Sequence, residues 1–200
     1  PTAKEQLEYC QKLEGAKQYG PAISHYNLLI NVYHKSPEAV EAYLRIGELY
    51  IEQGLMNKAE KYYENLLNSQ IEETSKVIQA MNKKKKKKNK STKLDDKTKQ
   101  MMFQILVRDL QKSGQKDEAE NPLLNLDITR IFNNLYKIGK AYLGGSRYRL
   151  FGAMPLWKQK GRFQAVYGYI LLRAPNYVNC PSMQKELALY KYNKKDYFEA

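Results

Sequence analysis

Apolar residues recur at three- and four-residue intervals through most of this chain, a pattern that predicts helices. The clearest stretch is 40–67. Tyr43, Ile46, Gly47 and Tyr50 mark one helical stripe, Gly54 ends it, and Ala59, Tyr63 and Leu66 mark the next. Leu135, Ile138, Gly139 and Tyr142 repeat the first stripe, and Phe103, Leu106 and Val107 repeat it within 101–114. Four short turns lead into an Ala: Tyr19-Gly20-Pro21-Ala22 and the segments 54–59, 114–119 and 161–165. A fifth, at 195–200, is cut off by the end of the sequence. Small residues at these points let two backbones approach, and Tyr side chains fill the wider space beside them. The pattern predicts an all-α fold of antiparallel helix pairs, repeated as a solenoid.

Laid out as helix pairs, the chain has small residues at corresponding first-helix positions: Cys10, Gly47, Val107, Gly139, Ala153 and Ala188. In the second helices the small position falls at Ala22, Ala59, Ala119, Ala165 and Ala200, with Tyr26, Tyr63, Leu123 and Tyr169 four residues on. Pro37 and Pro175 lie between pairs, where a helix has to stop. This arrangement resembles the tetratricopeptide-repeat family over most of the chain, most closely in 40–67. Some stretches depart from it. Gly144-Gly145-Ser146 and Pro155 interrupt the segment after Tyr142, and Pro122 would kink any helix containing it. The region 121–160 is therefore expected to be helical but irregular.

Charge divides the chain into three parts. Lys83, Lys84, Lys85, Lys86, Lys87, Lys88 and Lys90, with Lys93 and Lys97, stand against only Asp95 and Asp96, so 82–97 holds +7 of the net +13. High like charge without apolar periodicity predicts a solvated, flexible lysine-rich insertion there. It separates amino-terminal repeats (1–81) from less regular repeats (98–200), with a continued helix over 71–81 packing through Ile71, Val77, Ile78 and Met81. The lysine run fits a nuclear-import signal, a contact to nucleic acid, or a plain low-complexity loop. No aromatic interleaves it, so it offers no base-stacking platform.

Other chemistry is sparse. His25 and His34 have no metal-ligand spacing, and Glu72-Glu73 and Asp95-Asp96 have no nucleophile to serve. Gly144-Gly145-Ser146-Arg147 lacks the Gly-Lys-Ser/Thr ending of a phosphate loop. Cys10 and Cys180 are too few for a disulfide framework, which favours a reducing compartment. Catalytic residues, metal, cofactor and small-molecule ligand are none of them expected, and neither is a membrane span. Arg147, Tyr148, Arg149, Trp157, Lys158, Lys160 and Arg162 form a second basic, aromatic stretch, with the aromatics read as core. The chain opens on Pro1 and stops inside a repeat, so a fragment of a longer protein is expected.

The resemblance implies a concave face lined by first-helix residues: Glu41, Leu44, Glu48 and Ile51, then Met101, Gln104, Arg108 and Gln111. It implies a non-enzymatic protein–protein scaffold, a subunit of a larger assembly in the nucleus or cytoplasm, with the nucleus favoured. Residues 175–180 look like inter-repeat segments of tetratricopeptide subunits in nuclear transcription complexes. Two alternatives stand beside it. One is a nucleic-acid-associated factor that uses the lysine run and 147–162. The other is a bacterial envelope adaptor, since the stretch from Ala22 to Pro37 before Glu38-Ala39-Val40 also resembles outer-membrane assembly lipoproteins.

Overall fold

A computed structural model describes residues 1–85, 122–144 and 161–193, with the side chains of 77–85 and of Pro122 left aside. The described residues are all-helical. Helices α1 (Ala3–Gly15), α2 (Tyr19–Val32), α3 (Pro37–Glu52) and α4 (Met56–Lys85) come first. A 3-10 turn (Pro122–Asn125), α5 (Ile128–Gly144), α6 (Phe163–Arg173) and α7 (Cys180–Asn193) follow. Two compact units divide the chain, Pro1–Ile131 and Phe132–Ala200, with the boundary inside α5.

Local chemistry sets the helix ends. Thr2 and Glu5 form a reciprocal capping box on α1, which satisfies two otherwise orphaned donors. Ser36 caps α3 by accepting from the Ala39 amide, and Pro37 fits the first turn because it has no amide proton to satisfy. Gly54 sits at φ 71°, a left-handed conformation that suits glycine and turns the chain from α3 into α4. Asp127 caps α5 by accepting from the Arg130 amide at 2.9 Å.

In the first unit α2 packs on α1 and α3, and α4 runs back along α3. Cys10, Ala22, Tyr26, Leu29, Ala39, Ala42, Ile46 and Leu49 form the shared core. The predicted small positions Ala22 and Ala59 are fully buried. Gly47 makes the closest approach, and its neighbour is the Tyr63 ring. A Cβ added at Gly47 would lie 2.3 Å from Tyr63 Cζ. The Tyr63 hydroxyl donates to the Leu44 carbonyl at 3.3 Å, which fixes the ring over the glycine. The second unit repeats the contact: a Cβ on Gly139 would lie 2.3 Å from Tyr167 Cε1. Phe163, Val166, Tyr167 and Ile170 of α6 are buried, as are Leu135, Ile138 and Tyr142 of α5.

Several expectations shift. Tyr19, Gly20 and Pro21 open α2 instead of forming the turn before it, since Pro is tolerated in a first helical turn. Ala165 is exposed, and Phe163 and Tyr167 take the places expected for Ala165 and Tyr169. The register moves by two residues because Tyr167, not Tyr169, fits the gap over Gly139. Leu123 lies in the 3-10 turn rather than in a second helix. Helix α4 runs through Lys85, past the predicted start of solvated chain at Asn82, because Lys propagates an existing helix well. Its buried stripe follows Tyr63 and Leu67 onto Gln70 and Thr74, while Ile71 is only half-buried. The Gln70 amide and Thr74 hydroxyl have no hydrogen-bond partner there. The candidate repeat at 101–114, the rest of the lysine run and all of 147–160 lie outside the described residues.

The glycines yield a paired expectation. Gly47→Ala and Gly139→Ala should each destabilise the fold by about 1–2 kcal/mol, because overpacking a rigid buried ring outweighs the helix-propensity gain. Gly168 in α6 has nothing within 4 Å of an added Cβ, so Gly168→Ala should stabilise by about 0.5–1 kcal/mol. Urea denaturation of the three variants measures both signs.

Candidate functional site

The expected concave face of α3 carries an ionic network built on two arginines. Arg130, in the first turn of α5, donates to Glu48 at 2.6 and 2.8 Å and to Glu41 at 2.7 and 3.0 Å. Glu41 and Glu48 stand two helical turns apart on α3, so one planar guanidinium bridges both carboxylates. Arg45 lies between them in sequence. It donates to Glu48 at 2.6 Å, to Glu14 of α1 and, at 3.9 Å, approaches Glu52. The buried Tyr26 hydroxyl of α2 faces the Glu14–Arg45 pair without a well-formed hydrogen bond to it. Burial and then the Glu14 carboxylate raise that phenol well above its ordinary pKa. Hydrogen bonds to Glu48 and Glu41 raise the Arg130 pKa, so its charge is permanent. Three helices, α1, α3 and α5, are thereby tied through one polar chain.

The second unit has a smaller counterpart. The Tyr167 hydroxyl donates to Glu186 of α7 at 2.7 Å, and Lys140 of α5 donates to the same carboxylate at 2.5 Å. Tyr136 stacks on Tyr167 with ring centroids 5.8 Å apart. Phe163 meets Tyr167 and Tyr190 edge to face. Tyr177 donates to Asn133 at 2.7 Å and accepts from Asn179 at 2.8 Å. Tyr167 and Tyr177 thus act as helix-packing rings whose hydroxyls reach polar partners at the seams.

The sequence-predicted residues divide accordingly. Glu41 and Glu48 are brought together by Arg130, Leu44 is buried in the core, and Ile51 is half-buried. Met101, Gln104, Arg108 and Gln111 lie outside the described residues. Lys83, Lys84 and Lys85 belong to the end of α4, and Lys86, Lys87, Lys88 and Lys90 lie outside the description. Of the 147–162 stretch Gly161 and Arg162 are described, with the Arg162 guanidinium 5.8 Å from the Tyr142 ring centroid. Cys10 is a buried packing residue. Burial first, and Glu14 second, push its thiol up to about 11, which keeps it protonated. His25 Nδ1 accepts from the Gln6 side-chain amide at 3.1 Å, and its ring meets Tyr9 edge to face. Glu72 and Glu73 flank Lys76 on the surface of α4. Among the described residues no cluster of His, Cys, Asp and Glu has metal-binding geometry, and no helix is long and apolar enough to cross a membrane.

Sequence reasoning missed both Arg45 and Arg130. Arg45 had a local signal: it sits three residues before Glu48 and seven before Glu52, within reach of a carboxylate on its own helix. Arg130 had none, since its partners are 82 and 89 residues away in the chain.

Arg130→Met should lower stability by about 2 kcal/mol at low ionic strength, because two partly shielded carboxylates lose their shared donor. The loss should shrink as salt screens the pair. Combined with Glu48→Gln, the double variant should lose less than the two single losses together. Urea titrations at two salt concentrations measure both effects. Compared with protein-family models, curated proteins and solved structures, the chain matches none of them.

Proposed function

We propose that this protein is a non-enzymatic scaffold of tetratricopeptide-like helix pairs, a subunit of a larger intracellular assembly. The observation that carries the reading is the recurrence of one packing device. Gly47 lies under Tyr63 and Gly139 under Tyr167, and Cys10 shares a core with Tyr26 at the sequence spacing of Gly47 and Tyr63. A repeated device builds a repeated surface, and such surfaces serve recognition. The buried side chains support the same reading, because they are spent on packing: the Cys10 thiol is held protonated and the buried Tyr hydroxyls face neighbouring helices. Within this proposal the nucleus is the favoured compartment, with 83–90 as the import signal.

Pull-down of the tagged protein from native cells, at low and high salt and with and without nuclease, tests the reading. A stoichiometric set of proteins surviving both treatments is the expected result. Co-purification that collapses with nuclease would move the function to nucleic acid and the lysine run. For the compartment, replacing Lys83 to Lys88 and Lys90 with Ser in a fluorescent fusion should abolish nuclear accumulation.

A further inference from the structure

One surface is built unlike the others. Helix α2 is the only α-helix among those described that carries no Asp, Glu, Lys or Arg, in a chain of net charge +13. It is not a buried helix. Gly20, Pro21, Ser24, Asn27, Leu28, Asn31 and Val32 are all exposed, with Leu28 at 48% and Val32 at 56% of full exposure. Pro21, His25, Leu28 and Val32 follow one another at intervals of four, three and four residues, the spacing of a coiled-coil seam. Tyr9 of α1, itself 46% exposed, extends this stripe through its edge contact with His25.

Two of the exposed polar side chains bond to their own helix. The Ser24 hydroxyl donates to the Gly20 carbonyl at 3.2 Å, and the Asn27 amide donates to the Ile23 carbonyl at 3.0 Å. Covering this face therefore leaves few new polar groups stranded, and the burial cost that opposes most surface contacts is small here.

We infer that α2 is a homodimerisation surface, whose occupant is α2 of a second copy of this chain. The argument for a second copy is electrostatic. A different partner would gain from this chain's positive charge by meeting one of its charged faces, and gains nothing at a neutral one. A second copy carries the same +13 and is repelled wherever Lys and Arg would be juxtaposed. Neutrality is the property that this one occupant requires. A two-fold contact also needs a self-complementary patch, and a stripe of Leu, Val and Tyr among internally bonded Ser and Asn is compatible with itself.

The test is the molar mass of the full chain by light scattering after size exclusion, up to about 100 μM, where a weak homodimer with a Kd near 10–100 μM is populated. The expected result is a mass rising with concentration from 23.4 kDa towards twice that value. Leu28→Lys with Val32→Lys, and Leu28→Glu with Val32→Glu, should each remain monomeric. Both sites are exposed, so circular dichroism should show unchanged helix content. Mixing the two double variants should restore the dimer, because Lys then faces Glu, which separates interface loss from misfolding. A wild-type chain that stays at 23.4 kDa throughout overturns the inference. So do double variants that dimerise as the wild type does.

Discussion

The close approach of helices at Gly47 and at Gly139 is the constraint on which the rest of the packing depends. A Tyr ring occupies the volume that a side chain at either glycine would need. The ring then fixes the rotation of the helix carrying it, and so decides which of its residues face inwards. In α4 that rotation follows from Tyr63: Leu67, Gln70 and Thr74 are carried into the interior by helical periodicity, whatever their polarity. In α6 it follows from Tyr167, which turns Ala165 out to solvent. A Tyr is suited to this role because its ring supplies packing area while its hydroxyl still finds a partner. The Leu44 carbonyl serves Tyr63, and the Glu186 carboxylate serves Tyr167.

Much of this architecture was legible in the sequence. The stripe Tyr43–Ile46–Gly47–Tyr50, the break at Gly54 and the buried Ala22 and Ala59 are local features, set by helical period and by the one residue that adopts φ 71° freely. What misled the reading was distance along the chain. The pairing of Gly139 with Tyr167 spans residues 145–160, whose length no local rule fixes, so the Ala at 165 looked like the closer match to Ala59. The ionic face was legible only by half. The tetratricopeptide resemblance implied one face of α3 that holds both Glu41 and Glu48. Their partner Arg130 comes from a segment whose approach to α3 is decided by the burial of Leu126, Ile128 and Ile131.

The two kinds of contact contribute differently. The Tyr–Gly seams are apolar and remain close to full strength in salt, so they set the stability of each helix pair. The Arg45 and Arg130 network is partly exposed, with Arg130 at 30% and Glu41 at 35%, so screening weakens it and its net contribution is modest. Its value is geometric. A bidentate guanidinium tolerates little rotation, so Arg130 holds its own residue in place against α3 more than it adds to the depth of the energy well.

That division bears on where this chain can bind others. A partner approaching α3 through Glu41 and Glu48 would have to displace four hydrogen bonds already made by Arg130. Charge on this face is spent within the molecule, and Glu52, at 45% exposure, keeps more access to solvent than Glu41 at 35%. Recognition is therefore cheaper where side chains have no prior commitment. Val178, Leu172 and Leu189 of the second unit are exposed apolar side chains of that kind, as are Leu28 and Val32 of the first. For a strongly basic chain the choice among such surfaces turns on charge. Leu172 is followed by Arg173, and Lys191 lies between Leu189 and Tyr192, so positive charge stands beside those side chains. Helix α2 carries no such charge, which is why the proposed contact between like-charged chains is placed there.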